Sequence, residues 1–294
     1  MTSLPQETHT ITPRRVKFDW QDTPIQWVAG DPFTSHFYNA LHLIFPPIEA
    51  WFCQVFKQAL PLVTDEKLRQ DVIGFMRQEA IHGGAHGLVL EHFQAHGIDS
   101  NRYMAFLRRQ IDRALGDRIF GIPARRLGLE RWWLNTRIGI IAAGEHFTCM
   151  WGKFALEATN IESWNADPTM LDLFRWHAAE EVEHRTVAFD LYRHIAPAGF
   201  FHRLFLMTGV VPILVLHWTM AMRFLMRHDP NLARRPSLFR EWPRAVRAGR
   251  LLSLRKIAGA SWRFLLRGYD PRTEADTSLA LDYIARSPAA STAR

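Results

Sequence analysis

Apolar residues recur at intervals of three and four along most of the chain, and no run alternates apolar and polar positions beside an Asn-Gly or Asp-Gly turn. That pattern predicts helices without a substantial sheet, so the fold class is all-α. A first helix is predicted over residues 34–60, stopped by Pro61, and a second runs from Thr64 to His96-Gly97. A shorter helix over residues 100–115 crosses to a second pair. One member of that pair covers 123–159, and the other is opened by Asp167-Pro168 and closed by Pro197-Ala198-Gly199. Residues 1–32 read as an extended polar arm, with Phe18, Trp20 and Trp27 available to tuck against the body. Residues 33–197 form the bundle, 198–287 an apolar helix followed by basic amphipathic helices, and 288–294 a disordered tail.

The chemistry lies in the interruptions of this pattern. Glu79-Ala80-Ile81-His82 and Glu181-Val182-Glu183-His184 repeat the pair Glu-x-x-His, and residues three apart on a helix project from one face. Each pair follows an isolated glutamate in an apolar stretch, Glu49 ahead of Ala-Trp-Phe and Glu145 ahead of His-Phe. Charged groups are rarely buried without a partner, so these two glutamates point inward toward a cation rather than outward to water. Glu49 leads Glu79 by 30 residues and Glu145 leads Glu181 by 36, which at about 1.5 Å rise per residue brings four helices to one depth. The six residues make a dinuclear ligand set. Four carboxylates balance two divalent ions, and carboxylate with imidazole suits iron first, with manganese as the alternative.

His177 lies four before Glu181 and His86 four after His82, so both share the ligand faces; the competing reading for each is a structural histidine. Metal-bound imidazoles need a partner on the second ring nitrogen, which in many di-iron bundles is an acid just before each Glu-x-x-His. By resemblance to that pattern Glu180 keeps the acid and Gln78 departs from it, which makes the site asymmetric or the carry-over imperfect at the second helix. Glu183 rivals Glu181, but its spacing to His184 is wrong for one face. Cys53 and Cys149 follow Glu49 and Glu145 by four and read as core residues, or as thiols near the metals. Gly83, Gly84, Ala142, Ala143 and Gly144 either leave room for a substrate or let helices approach closely.

Over residues 35–195 the chain resembles the ferritin-like di-iron and di-manganese carboxylate proteins, whose four-helix bundle takes a Glu from two helices and Glu-x-x-His from the other two. The resemblance implies a ferritin-like bundle with Glu49, Glu79, His82, Glu145, Glu181 and His184 as ligands. His-x-x-x-Glu-x-x-His at 177–184 is similar to the di-iron arylamine N-oxygenases, which implies His177 as a seventh ligand. His86 stands where ribonucleotide reductase small subunits carry a radical tyrosine, so no tyrosyl radical is expected. From Arg15 to Ile195 the chain is similar to a bacterial family described as predicted metal-dependent hydrolases.

Composition narrows the setting. With 294 residues and 48% apolar content the chain can bury a large core, and two cysteines cannot build a disulfide framework. No apolar signal core precedes Arg15, so the expected compartment is the cytoplasm. The net charge of +7 is concentrated beyond residue 200. Residues 204–222 are apolar apart from His217; the favoured reading is a fifth helix buried on the bundle or in a homodimer interface, and the alternative is a membrane-contacting helix. Residues 200–267 could meet an anionic membrane surface, whereas no recognition motif or zinc spacing gives nucleic-acid binding a geometry.

The expected function is a di-iron oxidase or oxygenase that activates dioxygen to oxidise, hydroxylate or N-oxygenate a small organic substrate, with electrons from a reductase. The alternative is a hydrolase using a metal-activated water. Metal storage is disfavoured, because it does not need the basic extension.

Overall fold

A computed structural model describes residues 9–158, 160–196 and 199–292. It bears out the all-α reading. Two long helices, α1 (Pro32–Ala59) and α2 (Glu66–Ala95), pack along their length as a hairpin. Asp31 and Asp65 cap their N-termini by accepting from the backbone N–H of Thr34 and Leu68. Helix α3 (Asn101–Leu115) then crosses α1 and leads into a two-strand hairpin, β1 (Arg118–Ile119) with β2 (Ile122–Pro123), and a short 3-10 turn. The predicted start of the next helix at residue 123 is therefore too early. Gly128 sits at φ +66 and ends the turn, and α4 (Glu130–Glu157) begins after it.

The helix expected to run unbroken from residue 168 is two helices, α5 (Pro168–Glu183) and α6 (Val187–Ile195). Arg185 donates to the Val182 carbonyl at 2.6 Å, taking an acceptor at the end of α5, and His184 becomes the last turn's cap. Both segments pack on α4, so the second half of the bundle keeps its course across the break. The expected closing Pro197-Ala198 lies outside the described residues.

The core falls into two clusters. One gathers Phe37, Leu43, Phe93, Leu173 and Trp176 from one half of the bundle, and the other gathers Phe56, Phe75, Ile138 and Leu191 from the opposite half. Between them lies a layer of buried Glu and His side chains. Helix α7 (Phe200–His228) lies across α1 and α4. Its two ends are packed, Leu206–Val210 into one cluster and Ala221–Met226 into the other, while no side chain from Val211 to Met220 is fully buried. Of the expectations for 204–222, burial on the bundle holds only at the two ends: 22% of the most apolar window is buried, and α7 is long and apolar enough to cross a membrane.

Helices α8 (Leu238–Arg247) and α9 (Leu254–Leu265) follow on the same side. Helix α10 (Thr277–Arg286) packs on α5, with Tyr283 donating to Asp172. The expected disorder after Ser287 is overturned for residues 288–292. They form α11 (Pro288–Thr292), anchored where the Ala289 N–H donates to Asp172 at 2.9 Å and the Ala289 carbonyl accepts from Lys17. Residues 293–294, and 1–8 of the arm, lie outside the described residues. The rest of the arm is packed, with Ile11, Trp27 and Val28 buried and Val28 bridging to Ala166.

Candidate metal centre

The layer between the two cores brings together the seven Glu and His residues that the spacing offered as metal ligands. Glu49 comes from the middle of α1, Glu79 and His82 from α2, Glu145 from α4, His177 and Glu181 from α5, and His184 from the helix break. All seven are buried. Ligand atoms of Glu49, Glu79 and His82 lie within 4.8 Å of one another, as do those of Glu79, Glu181 and His184, and those of His82, His177 and Glu181. Glu79 and Glu181 belong to groups on both sides, the position a bridging carboxylate requires. Glu145 joins the His184 side, its Oε2 lying 3.1 Å from His184 Nε2. His86 joins the other side in a group with Glu49 and His177.

The two histidines of the Glu-x-x-His pairs are held crosswise. His82 Nε2 donates to Glu180 on α5 at 3.0 Å, leaving Nδ1 facing Glu79 and Glu181. His184 Nδ1 donates to Gln78 on α2 at 3.0 Å, leaving Nε2 facing Glu79, Glu145 and Glu181 at 3.1–3.4 Å. Each ring therefore aims one nitrogen at the carboxylates, with its orientation fixed from behind.

Behind these partners lies a shell that the spacing did not reveal. Gln78 Nε2 donates to Glu183 at 2.7 Å, Arg14 forms two bonds to Glu183 and one to Glu180, and His9 meets Glu183 at 2.5 Å. Glu183 thus points away from the layer and is no rival to Glu181. His86 faces His42 at 2.8 Å, a contact that was equally hidden although His42 lies on the same face of α1 as Glu49, about two turns before it. The only sequence signal for Arg14 and His9 was their place in an otherwise polar arm.

Burial, then Glu79, pushes the Glu49 carboxyl well above its ordinary value, and burial with Glu181 raises Glu145 to about 8. Burial opposes charge on His82 and His184 as well. Yet Glu180 and Glu79 hold the His82 proton, and Glu181 and Glu145 hold the His184 proton, well above the usual histidine range. Burial would raise Glu181, but His184 and His177 outweigh it and hold it low. Raised Glu49, Glu145, His82 and His184 share one cause, a surplus of buried carboxylates that positive charge relieves. Both Glu49 oxygens, Glu79 Oε1, Glu145 Oε2 and His82 Nδ1 are buried without a hydrogen-bond partner. Buried polar atoms seldom stay unpaired, and cations would satisfy all of them. The donor set fits a pair of divalent ions.

The cysteines take no part. Burial pushes both thiols up to about 12, and neither belongs to a potential metal group among the described residues. Of the small residues, a Cβ on Gly83 would meet Glu49 Oε2 at 3.4 Å, whereas one on Gly144 would meet Phe52 at 3.8 Å, ordinary contact.

A cavity of about 1440 Å³ opens beside the layer. Glu49, Glu79, Glu145, His177 and Glu181 stand at its inner end, and α1, α4 and the unpacked middle of α7 supply mostly aromatic and aliphatic walls. Pockets for drug-sized ligands run to about 1000 Å³, so this one has room for a larger apolar molecule.

The profile of a family described as predicted metal-dependent hydrolase matches residues 12–275, which takes in the arm that carries Arg14, the buried layer and the helices that wall the cavity. No curated protein and no solved structure matches the chain.

Proposed function

The chain belongs to the family of predicted metal-dependent hydrolases, and from that membership and the buried layer we propose a dinuclear-metal enzyme that hydrolyses an apolar substrate held in the adjoining cavity. The observation that carries the reading is the four-glutamate layer with its unpaired inward atoms beside an apolar cavity. Glu49, Glu79 and His82 would hold one ion, Glu145, Glu181 and His184 the other, and His177 stands as a seventh donor beside Glu181. In this ligand pattern the bundle is of the ferritin-like kind. Bound divalent ions supply Lewis acidity and a water acidified enough to attack near neutral pH.

The chain's own residues do the rest. Gln78 and Glu180 fix the two imidazoles, and Arg14 fixes Glu180 and, through Glu183, Gln78. Burial and then His82 hold His177 below the ordinary histidine value, and its Nε2, 2.7 Å from Glu181, ties that carboxylate in place. The apolar walls exclude bulk water from the inner end, where charge interactions strengthen.

A second reading, dioxygen activation at a di-iron pair with oxidation of the same substrate, is favoured by the carboxylate-rich donor set and by His177. Such sets suit iron with open positions, with manganese as the alternative. One experiment separates the two. Protein from cells supplied with iron and manganese is analysed for metal, reduced without air and then exposed to it. About two ions per chain with no dioxygen uptake, together with turnover of long-chain esters, supports hydrolysis. Uptake with a transient visible band supports oxidation, and a chain that binds no metal overturns both.

A further inference from the structure

Several residues line the cavity and are also exposed at the surface: Phe205, Ile213 and Val215 of α7, Phe239 of α8, and Leu254 and Trp262 of α9. Phe239 is 89% exposed, Leu254 68% and Trp262 61%. Being both wall and surface, they mark the cavity's mouth. Scattered apolar residues are normal on a surface, but an apolar rim gathered around one opening marks an interaction site.

The charge around that rim is mostly of one sign. Residues 200–267 contain thirteen Arg and Lys but only two acids, Asp229 and Glu241. Asp229 is buried against His36 and Gln26, while Arg244 pairs with Glu241, Arg250 with Asp31 and Arg263 with Glu274. Arg223, Arg240, Arg255, Lys256 and Arg267 are exposed with no carboxylate at ion-pair distance among the described residues.

We propose that the face built by α7, α8 and α9 docks on an anionic lipid bilayer as a monotopic surface, and that docking sets the cavity mouth in the lipid so that a long acyl chain reaches the carboxylate layer without crossing water. Helices with an apolar face and basic flanks lie in the interface with that face sunk about 5–10 Å, and arginines beside it meet anionic headgroups. Helix α7 is fixed to the bundle at both ends, so it cannot be ringed by lipid as a crossing helix would be. Its free middle faces the cavity on one side and the surroundings on the other. The acyl substrate rests on the metal-enzyme reading; the docking does not.

The test is flotation of the full chain, metal-loaded and metal-free, with vesicles of phosphatidylcholine with and without phosphatidylglycerol. The protein floats with the anionic vesicles in both metal states and much less with the neutral ones. The triple variant Phe239→Ser, Leu254→Ser, Trp262→Ser, which alters exposed side chains only, loses more than about tenfold in partitioning at unchanged melting temperature. Absence of flotation, equal flotation of the triple variant, preference for duplex DNA over vesicles, or a dimer that the triple variant dissolves would each overturn the docking. The channel is tested separately by parinaric acid fluorescence. Thr148→Phe, which narrows the cavity, cuts binding of this acyl probe by about tenfold while flotation and metal content stay as in the wild type. Unchanged probe binding in Thr148→Phe overturns the acyl route. A failure of metal binding alone overturns the enzyme reading and leaves the docking standing.

Discussion

Gln78 on α2 accepts from His184, the cap of α5, at 3.0 Å, while its amide nitrogen donates to Glu183 at 2.7 Å. The opposite histidine, His82, is held by the acid Glu180. The asymmetry has a physical cause. A carboxylate at position 78 would face Glu183 with no proton between them, whereas an amide offers an acceptor to the ring and a donor to the acid. Gln78→Glu is expected to destabilise the protein by about 1–3 kcal/mol in urea unfolding. Glu180→Ala leaves the fold and weakens metal binding about 10–100-fold, as read by competition with a chromophoric chelator. An unchanged affinity would mean that the ring orientation does not depend on Glu180.

Arg14 is the cation that the arm brings to two fully buried acids. Removing one member of a buried ion network leaves the other charged and unsolvated. Arg14→Met is expected to cost about 3 kcal/mol in chemical denaturation. If the loss is below about 1 kcal/mol, water replaces the guanidinium and the arm is not a structural part of the centre.

The pH dependence of the metal-free protein follows from the raised carboxyls. Glu145 titrates at about 8 when folded against an ordinary 4.5, and Glu49 is raised in the same sense. The folded state therefore binds more protons than the unfolded chain across that window, so stability falls as pH rises through it. Raised His82 and His184 extend the fall above 6.5, while the depressed Glu181 and Glu183 act only on the acid side, where stability drops as pH falls below 4.5. Metal reverses the trend, because ions bind the deprotonated ligands. Scanning calorimetry from about pH 5 to 8 should record a falling melting temperature without metal and a widening gap to the loaded protein. A flat metal-free profile would contradict the assignment.

Gly152 on α4 lies close against the backbone of α5. A Cβ there would lie 2.5 Å from the Ala178 carbonyl, a backbone atom that cannot swing aside. Gly152→Ala is expected to cost about 1–3 kcal/mol and, by shifting α5 at His177 and Glu181, to lower metal affinity as well. Retention of both stability and affinity would show that the two helices can part freely.

How much of this was legible depends on the range of the signal. The gathering of the Glu and His side chains was, because spacings of three and four place Glu79 with His82 and Glu181 with His184 before any tertiary fact is known. Glu180 was legible as a histidine partner by resemblance and Gln78 only as a departure from that pattern, and neither was expected to serve the ring of the other helix pair. Arg14 and His9 were not, since they meet Glu183 across more than 160 residues of chain and no periodicity marks them. The break after Glu183 carries no Gly or Pro, because the Arg185 side chain makes the stop. The C-terminal helix was misread for a similar reason. Its small residues look like a tail, and what orders them is Asp172, far back on α5. Among the glycines, a Cβ on the suspected Gly83 or Gly144 would meet nothing closer than 3.4 Å, whereas Gly152 and Gly139 are among the crowded ones.

The division of the hydrophobic core by a charged layer has a mechanical consequence. Two oily blocks that share four helices are joined across a plane of buried carboxylates and imidazoles, several of whose inward atoms lack a hydrogen-bond partner, so the plane is the weakest seam in the molecule until cations pin it. Amide exchange near Glu49, Glu79, Glu145 and Glu181 should then slow on metal binding more than exchange at either end of the bundle. The ions would act as rivets, and the same event that arms the chemistry would weld the two halves into one cooperative body.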